Sequence, residues 1–375
     1  MQDSLPIQAG LATEFVGQAW PSLLEQAVGL LRSRREAISS VLLCGCGDSH
    51  FAAQATEFGL RLWTARRVRA ASSMLGGRYL MDEVESTCLL IGISSSGEVA
   101  RTVEALEQGR RAGAQTLALT CAPNSTLANQ AVAAIVANLP EHPFGPGLIS
   151  YLASLLGLVA IAAALADDDA HHRLTSLVSS LPTWMARSAD DHAEQGRAQA
   201  EHVRDARQGV FLGSGPGYGA AGFAAAKVIE ACGVDYHAQD IEEWAHLEYF
   251  GGDAQAPTWI LTSGGRDASR VSEVEHAARA IGRRIAVTRW GGNPDWSADE
   301  REALSPFGLW PAPVAFAQRL MQLRGEQPFR SFGGGRSRAE GGGPSRIRTS
   351  QRLAPGQRAG ASRRTPEPYS HWHPA

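Results

Sequence analysis

Two stretches of the chain carry the same succession of apolar and polar positions. Val41-Leu42-Leu43-Cys44 runs into Gly45-Cys46-Gly47, and Val210-Phe211-Leu212 runs into Gly213-Ser214-Gly215, at an offset of 168 (213 minus 45). Farther on, Leu89 to Ser96 overlays Pro257 to Gly264 without a gap, and the offset pairs Ser95 with Ser263, Gly97 with Gly265, Arg111 with Arg279 and Thr120 with Thr288. Short apolar runs ending in glycine turns predict buried strands. Val99 to Ala112 sets Val103, Leu106 and its alanines at helical spacing, and Thr116 to Leu119 resumes a strand. Strands alternating with helices predict an α/β fold of two doubly wound parallel sheets in tandem.

The remaining segments frame these two halves. Residues 1–38 form an N-terminal helical segment around Trp20 to Arg32, 39–166 a first domain, 167–207 a polar helical linker, and 208–325 a second domain closing in an apolar helix after Pro313. Leu148 to Ala166 is nearly uncharged and approaches membrane-spanning length, but Ser150, Ser154 and Gly157 interrupt it and basic or aromatic anchors do not flank it on both sides. It reads as a helix buried between domains or at a subunit interface. Residues 326–375 turn to Gly, Arg, Ser and Pro, a composition that builds no core and predicts a flexible tail.

Composition narrows the partners. The 375 residues are 44% apolar, enough for two domains each with its own core, and the net charge of −3 gives no field favouring nucleic acid or a membrane. No basic helix-turn-helix segment precedes Ser39, which argues against a DNA-bound regulator. The first residues lack a secretory pattern, so a cytoplasmic location is expected. Five cysteines, odd in number and without paired zinc spacing, read as reduced, mostly buried thiols.

The candidate chemistry lies at the strand ends. Ser94-Ser95-Ser96-Gly97-Glu98 joins a strand directly to a helix, where hydroxyls and free amides meet the positive helix end, a setting suited to a phosphate monoester. Serines there also serve as N-caps and turn residues. Gly45-Cys46-Gly47-Asp48-Ser49 ends the preceding strand of the same sheet, and ligands bind at such carboxyl ends. No G-x-x-x-x-G-K-[S/T] loop exists for a nucleoside triphosphate. In the second half the serine cradle becomes Ser263-Gly264-Gly265-Arg266. That half supplies instead Lys227 and Glu230, three apart on one helix face, with Lys227 the only lysine among the chain's basic residues.

These motifs resemble the signature of the SIS (sugar isomerase) family: Gly45 to Ser49, then Ile93-Ser94-Ser95-Ser96-Gly97-Glu98 and a helix. The tandem pair is similar to the isomerase half of the glucosamine-fructose-6-phosphate aminotransferases and to related aminosugar-phosphate isomerases, deaminases and deglycases. The resemblance implies flavodoxin-like SIS domains, with Ser49, Ser94, Ser95 and Ser96 on a sugar phosphate. It also matches a lysine, a glutamate three residues on and a histidine sixteen beyond that, here Lys227, Glu230 and His246. Glu230 would then move a proton between C1 and C2 of an open-chain sugar, His246 would assist ring opening, and Lys227 would stabilise the intermediate. No metal or cofactor is implied; a homodimer is. Val99 stands where a hydroxyl residue commonly follows the Ser-Gly-Glu segment, and Leu247-Glu248-Tyr249-Phe250 replaces the usual Gly-Pro. Gln2 follows Met1, so no N-terminal nucleophilic cysteine and no glutaminase domain is expected. A non-catalytic sugar-phosphate sensor stays open as the alternative function.

Overall fold

The computed structural model describes residues 4–251, 255–329 and 352–353. Most of the tail expected to be flexible therefore lies outside the described residues. Helix α1 (Ser4–Leu31) leads into β1 (Ser40–Gly45), α2 (Asp48–Thr64), β2 (Arg67–Ser72), α3 (Ser73–Tyr79), β3 (Cys88–Ser94), α4 (Ala100–Arg111), β4 (Gln115–Thr120), α5 (Thr126–Gln130) and β5 (Ala133–Val136). Helices α6 (Ile149–Leu165) and α7 (Asp168–His202) connect to β6 (Gln208–Gly213), α8 (Pro216–Cys232), β7 (Asp235–Asp240), α9 (Ile241–His246), β8 (Thr258–Thr262), α10 (Ala268–Ala280) and β9 (Ile285–Arg289). The short α11 (Ala298–Leu304) and α12 (Pro306–Leu309) precede α13 (Pro311–Arg324).

Both sheets are parallel throughout, in the orders β2-β1-β3-β4-β5 and β7-β6-β8-β9. The expected pair of doubly wound sheets is present, and the offset of 168 (208 minus 40) carries β1 onto β6, α2 onto α8 and β2 onto β7 residue for residue. The correspondence stops at β5. Residues 301–304 would match its 133–136, yet they belong to α11, so the second sheet has four strands.

Strand alternation sorts the core. Leu43, Ile91 and Leu119 face the same apolar cluster as Phe211, Trp259 and Leu261, while Leu42, Cys44 and Leu90 face outward under α4. The two halves share one main core, and each also keeps a smaller apolar cluster of its own. The continuity of the main core comes from α2 and α8, which lie against each other. A Cβ on Gly219 would stand 2.3 Å from the Ala55 backbone nitrogen, and one on Gly222 would stand 2.4 Å from the Phe51 ring, so only glycine admits this approach. Helix α6 packs on α1 and α2, with every residue but Ser150 buried within the chain itself. Among the described residues no helix is long and apolar enough to cross a membrane. The stretch expected as a linker is the 35-residue α7, capped by Asp167 and packed along α13.

Candidate active site

The register Gly45↔Ile93 brings the turn after β1 beside the turn after β3, at the carboxyl edge of the first sheet. Gly47 adopts φ +56°, a left-handed conformation that suits glycine and lets α2 start at Asp48. Ser49, half-buried, sits in the first turn of that helix. In the neighbouring turn the hydroxyl of buried Ser94 accepts from the Gly97 amide (3.1 Å), and that of exposed Ser96 accepts from the Glu98 amide (3.3 Å). Ser95 is half-buried between them. Each hydroxyl keeps a proton to donate. Glu98 turns away to the head of α5, where its carboxylate accepts from the Thr126 amide (2.8 Å) and hydroxyl (2.7 Å); these bonds hold it below the usual carboxylate range.

Lys227 comes to this edge from the second half. It projects from α8 toward α2 with no exposed surface, and its ammonium donates to Asp48 Oδ2 (2.7 Å) and to Glu230 Oε2. The aromatic floor below is Phe223, whose centroid lies 5.1 Å from Lys227 Nζ and which stacks on Tyr151 of α6 at 3.9 Å. Burial alone would depress the ammonium, but the Asp48 and Glu230 carboxylates outweigh it and raise Lys227 above its ordinary value. Lys227 is therefore a fixed cation at neutral pH. Glu230, with a side chain 30% exposed, stands between this buried charge and the open side. Tyr151 Oη and Asp48 Oδ1 are buried without a hydrogen-bond partner among the described residues, and burial followed by the Asp48 charge pushes the tyrosine up.

Asp48 was missed at the level of sequence. It is 179 residues from Lys227, and the only signal was its place in the first turn of a predicted phosphate-turn helix. His246 is not brought to this cluster by any hydrogen bond. It ends α9 with a 72% exposed side chain, its Nε2 sharing a proton with Glu242 Oε1 (2.9 Å), and Glu242 is bound in turn by Arg270. The chain following α13 does touch the site's edge: the Phe329 amide donates to the Glu230 carbonyl (2.7 Å), and its ring meets Phe144 at 5.5 Å. No group of three or more His, Cys, Asp or Glu arranged to hold a metal occurs among the described residues.

Comparison with known proteins decides which family builds such an edge, because the SIS domain model matches residues 36–166, which contain both turns. That stretch is similar to a SIS (sugar isomerase) domain. Across a longer stretch the chain is 26% identical over 234 residues to the isomerizing glutamine–fructose-6-phosphate aminotransferase of Shewanella oneidensis, covering 60% of this chain and 37% of that protein. It thus spans little more than a third of the curated relative. In fold, the chain superposes on the C-terminal domain of the glucosamine-fructose-6-phosphate aminotransferase of Francisella tularensis with a TM-score of 0.74 at 16% identity, covering 88% of this chain and 98% of the other. The tagatose-6-phosphate ketose/aldose isomerase of Escherichia coli matches with a TM-score of 0.68 at 17% identity over 86% and 94% of the two chains. Both sheets therefore follow the arrangement of known two-sheet SIS structures.

Proposed function

We propose that this chain is a phosphosugar isomerase-type enzyme that moves a proton between C1 and C2 of a hexose or aminosugar phosphate, with isomerisation or the related deamination or deglycation as its net reaction. The observation that carries the reading is Lys227, a fully buried ammonium held between Asp48 and Glu230 beside a turn rich in hydroxyls. A solvated surface pair has no need of such burial, and burying a charge costs several kcal/mol unless it is paired. In this proposal Ser49, Ser94, Ser95 and Ser96 donate to the phosphoryl oxygens. Glu230 takes the proton from one carbon and returns it to the next, and the Lys227 cation stabilises the negative charge that develops on the sugar oxygen.

His246 keeps its proposed part in ring opening only if a second copy supplies it, because in its own chain it is exposed and bound to Glu242. The homodimer belongs to the same proposal. Exposed Leu247 and Phe250 beside His246 are the apolar surface a second copy would cover.

The test is turnover of a panel of hexose 6-phosphates, hexosamine 6-phosphates and amino-acid-conjugated sugar phosphates, read by product NMR with coupled detection of released ammonia. Product without ammonia supports isomerisation, product with ammonia supports deamination, and release of the free amino acid supports deglycation. Phosphate-dependent binding with no conversion across the panel would replace the enzyme by the sensor.

A further inference from the structure

The second half builds the same two turns as the first but does not leave them open. Gly215 after β6 adopts φ +54°, matching Gly47, and Ser263-Gly264-Gly265-Arg266 follows β8 where Ser95-Ser96-Gly97-Glu98 follows β3. At the positions that form β5 in the first half, the second half forms α11, which brings Glu302 into the turns. Its Oε2 accepts from the Arg266 amide (3.3 Å) and from Arg266 Nη1 (2.8 Å). A Cβ added to Gly265 would lie 2.7 Å from the same oxygen, and one added to Gly215 would lie 3.9 Å from Oε1. The carboxylate is thus seated between the two glycine turns, in a residue only 7% exposed.

The surroundings are those an oxyanion requires: a backbone N–H just ahead of the thirteen-residue α10 and a guanidinium. Arg266 is itself fixed, paired with Asp299 at 3.0 Å and laid over the Phe58 ring at 4.4 Å. We propose that Glu302 is a built-in occupant of the second phosphate cradle, its carboxylate standing where a ligand's phosphoryl group would sit, and that removing it opens a latent site for inorganic phosphate or a phosphate monoester. The inference rests on the reading that the corresponding turns of the first half hold phosphate. It gives a physical reason for two similar halves to differ at these turns.

The experiment counts inorganic phosphate bound per chain by equilibrium dialysis, using full-length native protein, Glu302→Ala, and Glu302→Ala combined with Arg266→Ala. Glu302→Ala is expected to bind one more equivalent than native protein, and the double variant is expected to lose it. Combining Glu302→Ala with Ser95→Ala and Ser96→Ala keeps the two readings separable: the new equivalent survives even if the first-half turns hold none. Should Glu302→Ala fold poorly, Glu302→Ser also empties the seat while keeping a polar side chain, and its melting temperature should rise with phosphate at matched ionic strength at least threefold more than that of native protein. Equal phosphate stoichiometry in native protein and Glu302→Ala, or equal phosphate-induced melting shifts in native protein and Glu302→Ser, would overturn the proposal.

Discussion

Replacing Asp48 by Asn tests the charge arrangement at the heart of the site. The substitution keeps size and hydrogen bonding but removes one of the two carboxylates on a fully buried ammonium. Breaking a buried ion pair by removing one partner costs about 3–5 kcal/mol. Glu230 still holds Lys227, so the loss expected here is smaller, about 2–3 kcal/mol. At about 1.3 °C per kcal/mol for a chain of this size, the melting temperature should fall by about 3 °C. The pH dependence gives a sharper signature. In native protein the folded Lys227 lies above its ordinary value, so its contribution is fully present below about pH 10 and is lost only as pH rises through the folded value. Without Asp48, only Glu230 offsets burial, the largest single influence on this group, so Lys227 lies lower in the variant than in native protein. The variant accordingly loses the Lys227 proton at lower pH than native protein does, and the stability gap between them narrows as pH rises through the variant's folded value. Urea unfolding as a function of pH reads both effects. A gap below about 0.5 kcal/mol that does not change with pH would refute the account of Lys227 as a fixed, doubly paired cation.

Further predictions follow from the same geometry. Gly219→Val forces side-chain atoms into the α2 backbone and should cost about 3 kcal/mol or more in urea unfolding, with loss of compactness by small-angle scattering. Ser95→Ala and Ser96→Ala should each raise KM for a sugar phosphate about 5–10-fold with kcat nearly unchanged, since they remove phosphate hydrogen bonds and leave the proton-transfer groups in place. Mixing Glu230→Gln subunits with His246→Ala subunits should restore part of the activity that each lacks alone, whereas a site completed within one chain would give no rescue. Burial pushes the Cys44 thiol up to about 12, so it should stay unlabelled by iodoacetamide at pH 8 while the partly exposed Cys46 reacts; modification of Cys44 in folded protein would contradict its burial.

Strands, glycine turns and the two-sheet architecture were legible because they depend on local patterns: apolar runs ending in Gly45 and Gly213, and a hydroxyl-rich turn ahead of α4. The fifth strand was not. Ala133–Val136 is short, two of its four residues are alanines, and only Ile135 is buried, so its two β-branched residues make too brief a run to mark a strand. The main core shared by the two halves was hidden for another reason. It depends on Gly219 and Gly222 meeting α2, a contact between helices far apart in the chain that no periodicity reports. Within the site, Lys227 stood out as the lone lysine and Glu230 through helical spacing, but the Asp48 partnership and the Glu302 plug arise only from tertiary contact. His246 was named by resemblance alone, and its exposed place on α9 shows why neighbouring residues carried no signal for it.

The most direct test of the central claim is proton NMR of the turned-over sugar phosphate in deuterated buffer, with native protein and Glu230→Gln side by side. The account predicts deuterium at C1 or C2 with native protein and a rate at least about 100-fold lower with the variant, the scale expected for loss of a general base. Equal deuterium incorporation by the two proteins would remove Glu230 as the base, and a sugar converted without any deuterium uptake would contradict solvent-exchanging proton transfer at this site.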